Sequence, residues 1–206
     1  MARRGSSGRW LRRQRRDPYV ARSRDEGYRS RAAYKLQPLD AAEKLLRSGM
    51  VVVDLGAAPG GFSQYAAERV GAKGRVVAID LLPMDPIAGA DILQGDFSSQ
   101  ATLASLRATL GERGVDLVIS DMAPNITGNR AVDQPRGMLL AEMALEFARE
   151  QLNPGGDLVV KLFQGEGFEA FVTDVRSSFA RVRIIKPAAS RSASREMYLL
   201  ARQLQM

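Results

Sequence analysis

The stretch Met50-Val-Val-Val-Asp-Leu-Gly-Ala-Ala-Pro-Gly-Gly-Phe62 constrains the fold more than any other part of the chain. Its β-branched run, ending in Asp54, has the continuous apolar character of a strand buried on both faces. Gly56, Gly60 and Gly61 then turn the chain into Phe62–Val70, which reads as a helix. A glycine-rich turn between strand and helix lets backbone approach a ligand closely.

The same alternation repeats downstream. Arg75–Asp80, Asp91–Asp96, Val115–Asp121, Asp157–Phe163, Val182–Lys186 and Met197–Arg202 read as further strands. Helices are predicted over Gln100–Glu112, Arg136–Leu152 and Gly167–Phe179, the second stopped by Asn153-Pro-Gly-Gly156. Ahead of the first strand, a helical pattern starts at Ser30, breaks near Pro38 and resumes over Asp40–Leu46. Strand–helix repeats of this kind imply an α/β fold: a seven-stranded, mostly parallel sheet with helices on both faces and ligands at the carboxyl ends of its strands. Residues 32–206 are read as one such domain.

Charge sets the first 31 residues apart. They hold eleven arginines against Asp17, Asp25 and Glu26, a balance of +8, while the whole chain carries +7 and the remainder is therefore close to neutral. A basic arm on a neutral body suits a polyanion. An Arg-rich presequence or a solvated tail has the same charge. Trp10-Leu11 and Tyr19-Val20 interrupt the charge with apolar anchors, however, and favour an arm that partly docks. No apolar run is long enough to span a bilayer and no signal-peptide core follows the start, so a cytoplasmic protein is expected.

Cysteine and histidine are both absent. That excludes disulfide frameworks, thiolate nucleophiles, Ser-His-Asp triads and the usual zinc sites. Acid–base work falls to Lys, Asp, Glu or Tyr.

At the turn, a dinucleotide fingerprint would require G-x-G-x-x-G. Gly56-Ala-Ala-Pro-Gly60 does not fit it, and no Gly-Lys-Ser/Thr follows as a phosphate loop would need. Asp54 beside the turn would repel a pyrophosphate but suits a cationic ligand such as S-adenosylmethionine. Asp80 closes the second strand where a ribose-binding acid belongs, and Asp96 ends the third, placed to accept from an adenine amino group. Each alone reads equally as a solvated carboxylate; three at successive strand ends favour a nucleoside pocket. Phe62 either joins the core or borders that pocket.

These motifs carry a resemblance. Asp54-Leu-Gly-Ala-Ala-Pro-Gly-Gly-Phe-Ser-Gln64, Asp80-Leu-Leu-Pro-Met-Asp-Pro86, Asp121-Met-Ala-Pro-Asn125 and Val160-Lys-Leu-Phe-Gln-Gly165 resemble the FtsJ/RrmJ family of RNA ribose 2′-O-methyltransferases, nearest its bacterial large-subunit ribosomal RNA branch. The resemblance runs from about Arg9 to Leu200. It implies a class I, Rossmann-like methyltransferase fold and S-adenosylmethionine as cofactor, with S-adenosylhomocysteine as product and no metal. It also implies a cofactor pocket formed by Asp54, Gly56, Gly60, Phe62, Asp80, Asp96 and Asp121. Phe62 stands where bacterial members usually carry Trp.

The resemblance further implies a catalytic tetrad of Lys35, Asp121, Lys161 and Glu196, all four of which match. Composition adds an independent clue. The chain has only five lysines against 25 arginines, yet Lys161 lies inside an apolar strand. A guanidinium cannot be usefully deprotonated, whereas a lysine near other cations or out of water can become neutral. Lys161 is therefore read as the base that removes the ribose 2′-hydroxyl proton, its pKa lowered toward ~7–8. Asp121 is expected to orient Lys161, and Glu196 to position Lys35 or the ribose. In a weaker version Lys161 stays protonated and only steers the oxygen.

The expected partner is a uridine in the A-loop of 23S ribosomal RNA, on the large ribosomal subunit. Arg9, Arg12, Arg13, Arg31, Arg130, Arg136, Arg191 and Arg195 are the expected phosphate contacts. Transfer RNA or cap methylation, a non-catalytic ribosome-assembly factor and an NAD-type oxidoreductase are the alternatives. The single-domain size suggests a monomer.

Overall fold

The computed structural model describes residues 17–190 and 194–205, so Arg9, Arg12, Arg13 and Arg191 lie outside the described residues. Helices α1 (Pro18–Asp25) and α2 (Ala33–Glu43) precede strand β1 (Val51–Leu55). There follow α3 (Gly61–Val70), β2 (Arg75–Asp80), β3 (Ala90–Gln94), α4 (Gln100–Leu110), β4 (Val115–Ser120), α5 (Arg130–Gln151), β5 (Leu152–Phe163), α6 (Phe168–Arg176), β6 (Phe179–Ile185) and β7 (Glu196–Leu204). The strands form one sheet in the order β3-β2-β1-β4-β5-β7-β6. β1 to β5 pair in parallel, and β7 runs antiparallel between β5 and β6. The chain moves outward from β1 to β2 and β3, then returns to place β4 on β1's other side. That reversal opens a crevice at the strands' carboxyl ends.

Alternation along the strands decides which side chains meet. Val51, Val53, Leu55, Leu158, Val160, Leu162, Leu199 and Ala201 point into a core with Leu106 of α4, Leu145 and Phe147 of α5, and Phe171 of α6. Val52, Ile119, Val159, Tyr198 and Leu200 point the other way, into a second core with Leu36 and Leu39 of α2 and Phe62, Ala66 and Val70 of α3. With a side-chain period of two, Asp54, Asp121, Lys161 and Glu196 belong to this second face. That is the face α2 covers, and α2 carries Lys35.

Five sequence-based boundaries differ in ways that bear on the packing. Helix α2 runs unbroken through Pro38. The proline forfeits one backbone hydrogen bond, but Leu36 and Leu39 on either side are fully or almost fully buried and hold the turn. The helix ends at Lys44, left-handed at φ 52°, so Leu45 and Leu46 are buried but not helical; Asp40 accepts the Leu46 N–H at 2.8 Å. Helix α5 starts at Arg130 rather than after Pro135, because the Asn129 side chain caps it by accepting from the Ala131 N–H. Asn153-Pro-Gly-Gly156 does end the helix, but as a bulge within β5, where the register with β4 jumps from Val115↔Leu152 to Leu117↔Asp157. β6 begins three residues early, at Phe179, whose buried ring joins the first core.

Residues 17–31 do not project from the body. Tyr28 donates to Glu68 at 3.0 Å, the Gln64 amide bridges Arg29 N–H and Gly27 C=O, and the Arg29 guanidinium donates to the carbonyls of Asp85 and Pro86.

Candidate active site

Two cavities open at the carboxyl ends of the central strands. One, of about 380 Å³, is lined by Gly56, Ala58, Asp80, Asp96, Met122 and Asn125 among others. The second, of about 500 Å³, is lined by Ser30, Arg31, Lys35, Ser190, Ser194 and Glu196. Ala58 and Asp121 border both. A group reaching from one ligand to another would cross at Asp121.

The four tetrad residues converge there. Lys161 Nζ donates to Asp121 Oδ1 at 2.9 Å and to the Asp121 backbone carbonyl. Lys35 Nζ pairs with Glu196 Oε1 at 2.7 Å. Tyr198 joins the two pairs: its hydroxyl donates to Asp121 Oδ1 and accepts from Lys35 Nζ at 3.4 Å. Ser190 Oγ closes the chain by donating to Glu196 Oε1 at 3.0 Å. Burial opposes ionisation of Asp121, but the Lys161 and Lys35 ammoniums and the Tyr198 hydroxyl outweigh it and hold its carboxyl below the usual range. Burial, with Asp121 and Glu196 beside it, pushes the Tyr198 phenol well up, so it stays a donor. Both Asp121 side-chain bonds fall on Oδ1, which leaves Oδ2 for a ligand.

Tyr198 and Ser190 were not among the residues singled out from the sequence. A signal for Tyr198 existed: it lies two residues past Glu196, on the same strand face, and faces Lys161 directly across the β5–β7 pair.

The nucleoside-pocket residues divide. Gly56 has φ +76°, and a Cβ there would sit 2.7 Å from Met122 Cγ and 2.9 Å from Met122 Cα, so only glycine fits this cavity wall. Asp80 lines the cavity with both oxygens already holding backbone, Oδ2 at the Ala58 N–H and Oδ1 at the Leu82 N–H. Asp96 stands exposed at the rim and accepts from the Ser98 N–H and hydroxyl, which lower its pKa.

Three of the expected cofactor residues are not among the lining of either cavity. Asp54 is completely buried. Its Oδ2 accepts from Ser63 Oγ at 2.5 Å, and Oδ1 has no hydrogen-bond partner. Desolvation, opposed by Ser63 and reinforced by Asp121 and Asp80, raises its pKa to about 7. Gly60, at φ +107°, makes room for Ile87, whose Cδ1 would stand 2.6 Å from an added Cβ. Phe62 is 2% exposed, its centroid 6.3 Å from that of Tyr198, so it backs the tetrad from within the core.

The arginines also sort themselves. Arg130 and Arg136 are exposed on α5 and line neither cavity. Arg195 donates to the Gln164 carbonyl at 2.6 Å. Arg31 is tied into the protein by an ion pair with Asp17 and a hydrogen bond to the Ala189 carbonyl, at the border of the larger cavity. Among the described residues no group of metal-ligating side chains could hold an ion, and no helix is long and apolar enough to cross a membrane.

Residues 28–204 match the sequence model of the FtsJ-like methyltransferases. The chain belongs to that family. Among solved structures, the methyltransferase is similar to a Plasmodium falciparum protein described as a ribosomal RNA methyltransferase, at 29% identity and a TM-score of 0.78, covering 86% of this chain and 98% of that one. A Clostridium thermocellum protein described as an rRNA methylase shares the fold at 18% identity and a TM-score of 0.55, covering 82% of this chain and 96% of that one. The antiparallel β7 between β5 and β6 and the reversal at β1/β4 are thus the methyltransferase's Rossmann-like architecture.

Proposed function

We propose that the protein transfers a methyl group from S-adenosylmethionine to the 2′-oxygen of a uridine ribose in the A-loop of 23S ribosomal RNA, on the large ribosomal subunit. The observation that carries this reading is the hydrogen-bonded chain Lys161–Asp121–Tyr198–Lys35–Glu196, set where two cavities share Asp121. The likeness to a protein described as a ribosomal RNA methyltransferase supports the substrate class.

The smaller cavity fits the cofactor. Its volume lies in the range of small-molecule sites, and the carboxylates of Asp80 and Asp121, which oppose ionisation of the buried Asp54 nearby, favour a cation. Bound there, S-adenosylmethionine would supply a methyl group on a positively charged sulfur. Asp80 and Asp96 would accept from the ribose and adenine. In the larger cavity Lys35 and Glu196 would hold the target ribose. Lys161, oriented by both the carboxylate and the carbonyl of Asp121, would in its neutral amine form take the 2′-hydroxyl proton as the oxygen bonds the methyl carbon and the carbon–sulfur bond breaks, leaving S-adenosylhomocysteine. Alignment of the two reactants supplies much of the acceleration, because the leaving group needs little help. The protein is read as a cytoplasmic monomer.

The test is incubation with radiolabelled S-adenosylmethionine and, separately, large ribosomal subunits, free ribosomal RNA and transfer RNA, followed by mapping of the labelled nucleotide. Label on a ribose 2′-oxygen of 23S RNA is expected, and label confined to transfer RNA refutes the substrate. Lys161→Ala should cut kcat by about 10²–10⁴-fold. If the pH profile of kcat shows no ascending limb attributable to a lysine and Lys161→Arg stays near wild type, Lys161 is not the base.

A further inference from the structure

We infer that Arg31 is a positioning residue, which locks the docked N-terminal segment to the loop that holds the tetrad, and that it is not a phosphate contact. The inference rests on the methyltransfer reading above and adds a residue to it. A guanidinium that grips RNA phosphate must present itself to solvent. That of Arg31, although it borders the larger cavity, is engaged by protein groups, its side chain being 17% exposed and that of its partner Asp17 8%. Asp17 is itself the N-cap of α1, accepting the Tyr19 N–H at 3.1 Å, and the Arg31 guanidinium lies 5.9 Å from the centre of the Tyr19 ring.

From Arg31 a short path leads to the catalytic amine. Arg31 donates to the carbonyl of Ala189, which is 2% exposed. The next residue is Ser190, whose N–H bonds to the Pro187 carbonyl and whose hydroxyl donates to Glu196. The same Glu196 oxygen receives Lys35 Nζ. A second path runs along the backbone, since the Arg31 carbonyl accepts the Tyr34 N–H and the Ala32 carbonyl accepts the Lys35 N–H in the first turn of α2. Arg31, Ser190, Glu196 and Lys35 all line the 500 Å³ cavity. Losing the Asp17–Arg31 pair would release the Ala189–Ser190 wall and, through Glu196, let Lys35 leave Tyr198.

Two variants separate the roles. If Arg31 gripped phosphate, Arg31→Gln would raise KM for RNA and reduce the slope of log K against log salt by about one, while Asp17→Asn, which keeps the arginine, would do no harm. A positioning residue behaves otherwise. Asp17→Asn and Arg31→Gln should each lower kcat about tenfold with KM and the salt slope unchanged, and the double variant should be no worse than either single one. These are measured on unmodified large ribosomal subunits across a potassium chloride series. Hydrogen exchange on the full-length protein without RNA gives a readout independent of the reaction. The Ser190 amide, held by the Pro187 carbonyl, should exchange at least about tenfold faster in both variants, with the β1 and β4 amides unchanged. Wild-type protein that labels no RNA would sink the functional reading and leave this arm standing. Unchanged exchange in both variants, or a raised KM and shallower salt slope for Arg31→Gln alone, overturns the inference.

Discussion

Asp54→Asn tests the fully buried carboxyl at the end of β1. In the unfolded chain this carboxyl ionises near pH 3.9, whereas in the folded protein its pKa is about 7. Below pH 4 it is protonated in both states and adds no pH dependence. Between about pH 4 and 7 the unfolded chain gives up the proton and the folded chain keeps it, so stability falls by up to ~1.4 kcal/mol per pH unit, about 4 kcal/mol in all, and levels off above pH 7. Full burial means solvent screening does not reduce this figure appreciably. Asparagine keeps the shape and an acceptor for Ser63 Oγ but does not titrate. Urea unfolding of both proteins without ligand, at pH 5 and pH 8, should show Asp54→Asn gaining about 2–3 kcal/mol relative to wild type over that interval. The same substitution removes negative charge near the cavity and should weaken S-adenosylmethionine binding in calorimetry at pH 8. A stability difference that stays constant from pH 5 to 8 refutes the reasoning, because Asp54 would then titrate alike in folded and unfolded chains.

Tyr198→Phe keeps the ring against Phe62 and removes the hydroxyl shared by Asp121 and Lys35. Loss of a hydrogen bond to a charged group costs about 1.5–3 kcal/mol, so kcat should fall roughly 10–100-fold with cofactor affinity unchanged; a kcat within twofold of wild type removes Tyr198 from the machinery. Gly56→Ala would drive a Cβ into the Met122 backbone from a left-handed position. A cost of about 1–3 kcal/mol should lower Tm by several degrees in calorimetry and weaken cofactor binding; an unchanged Tm shows that the loop after β4 yields freely.

The shared face of Asp121 and Lys161 was legible because strand periodicity is local and strict. Asp121 and Lys161 lie on the same parity as Ile119 and Val159, and any sheet that buries those two beneath α2 and α3 brings the charged residues together. The sevenfold strand count and the two-sided layering followed from the same pattern. What short-range pattern cannot supply is the meeting of distant loops. The approach of Ile87 to Gly60 and the packing of Phe62 near Tyr198 are meetings of this kind. Arg31 looked like its basic neighbours because nothing in the sequence pairs it with Asp17 or with a carbonyl 158 residues away. The prolines misled for the opposite reason: Pro38 and Pro135 carry strong local signals, which burial on α2 and the Asn129 cap on α5 override.

The slot between β5 and β6 is filled by the last of the seven strands to be synthesised. Until that strand arrives, both neighbours present raw edges, Lys161 lacks the residue opposite it, and Lys35 has no acid to hold it. A growing polypeptide could therefore form the turns that line the smaller cavity well before Lys35 and Lys161 meet their partners on the last strand. Completion of the charged cluster is thereby postponed to the final stage of folding, when long-range pairing closes the sheet.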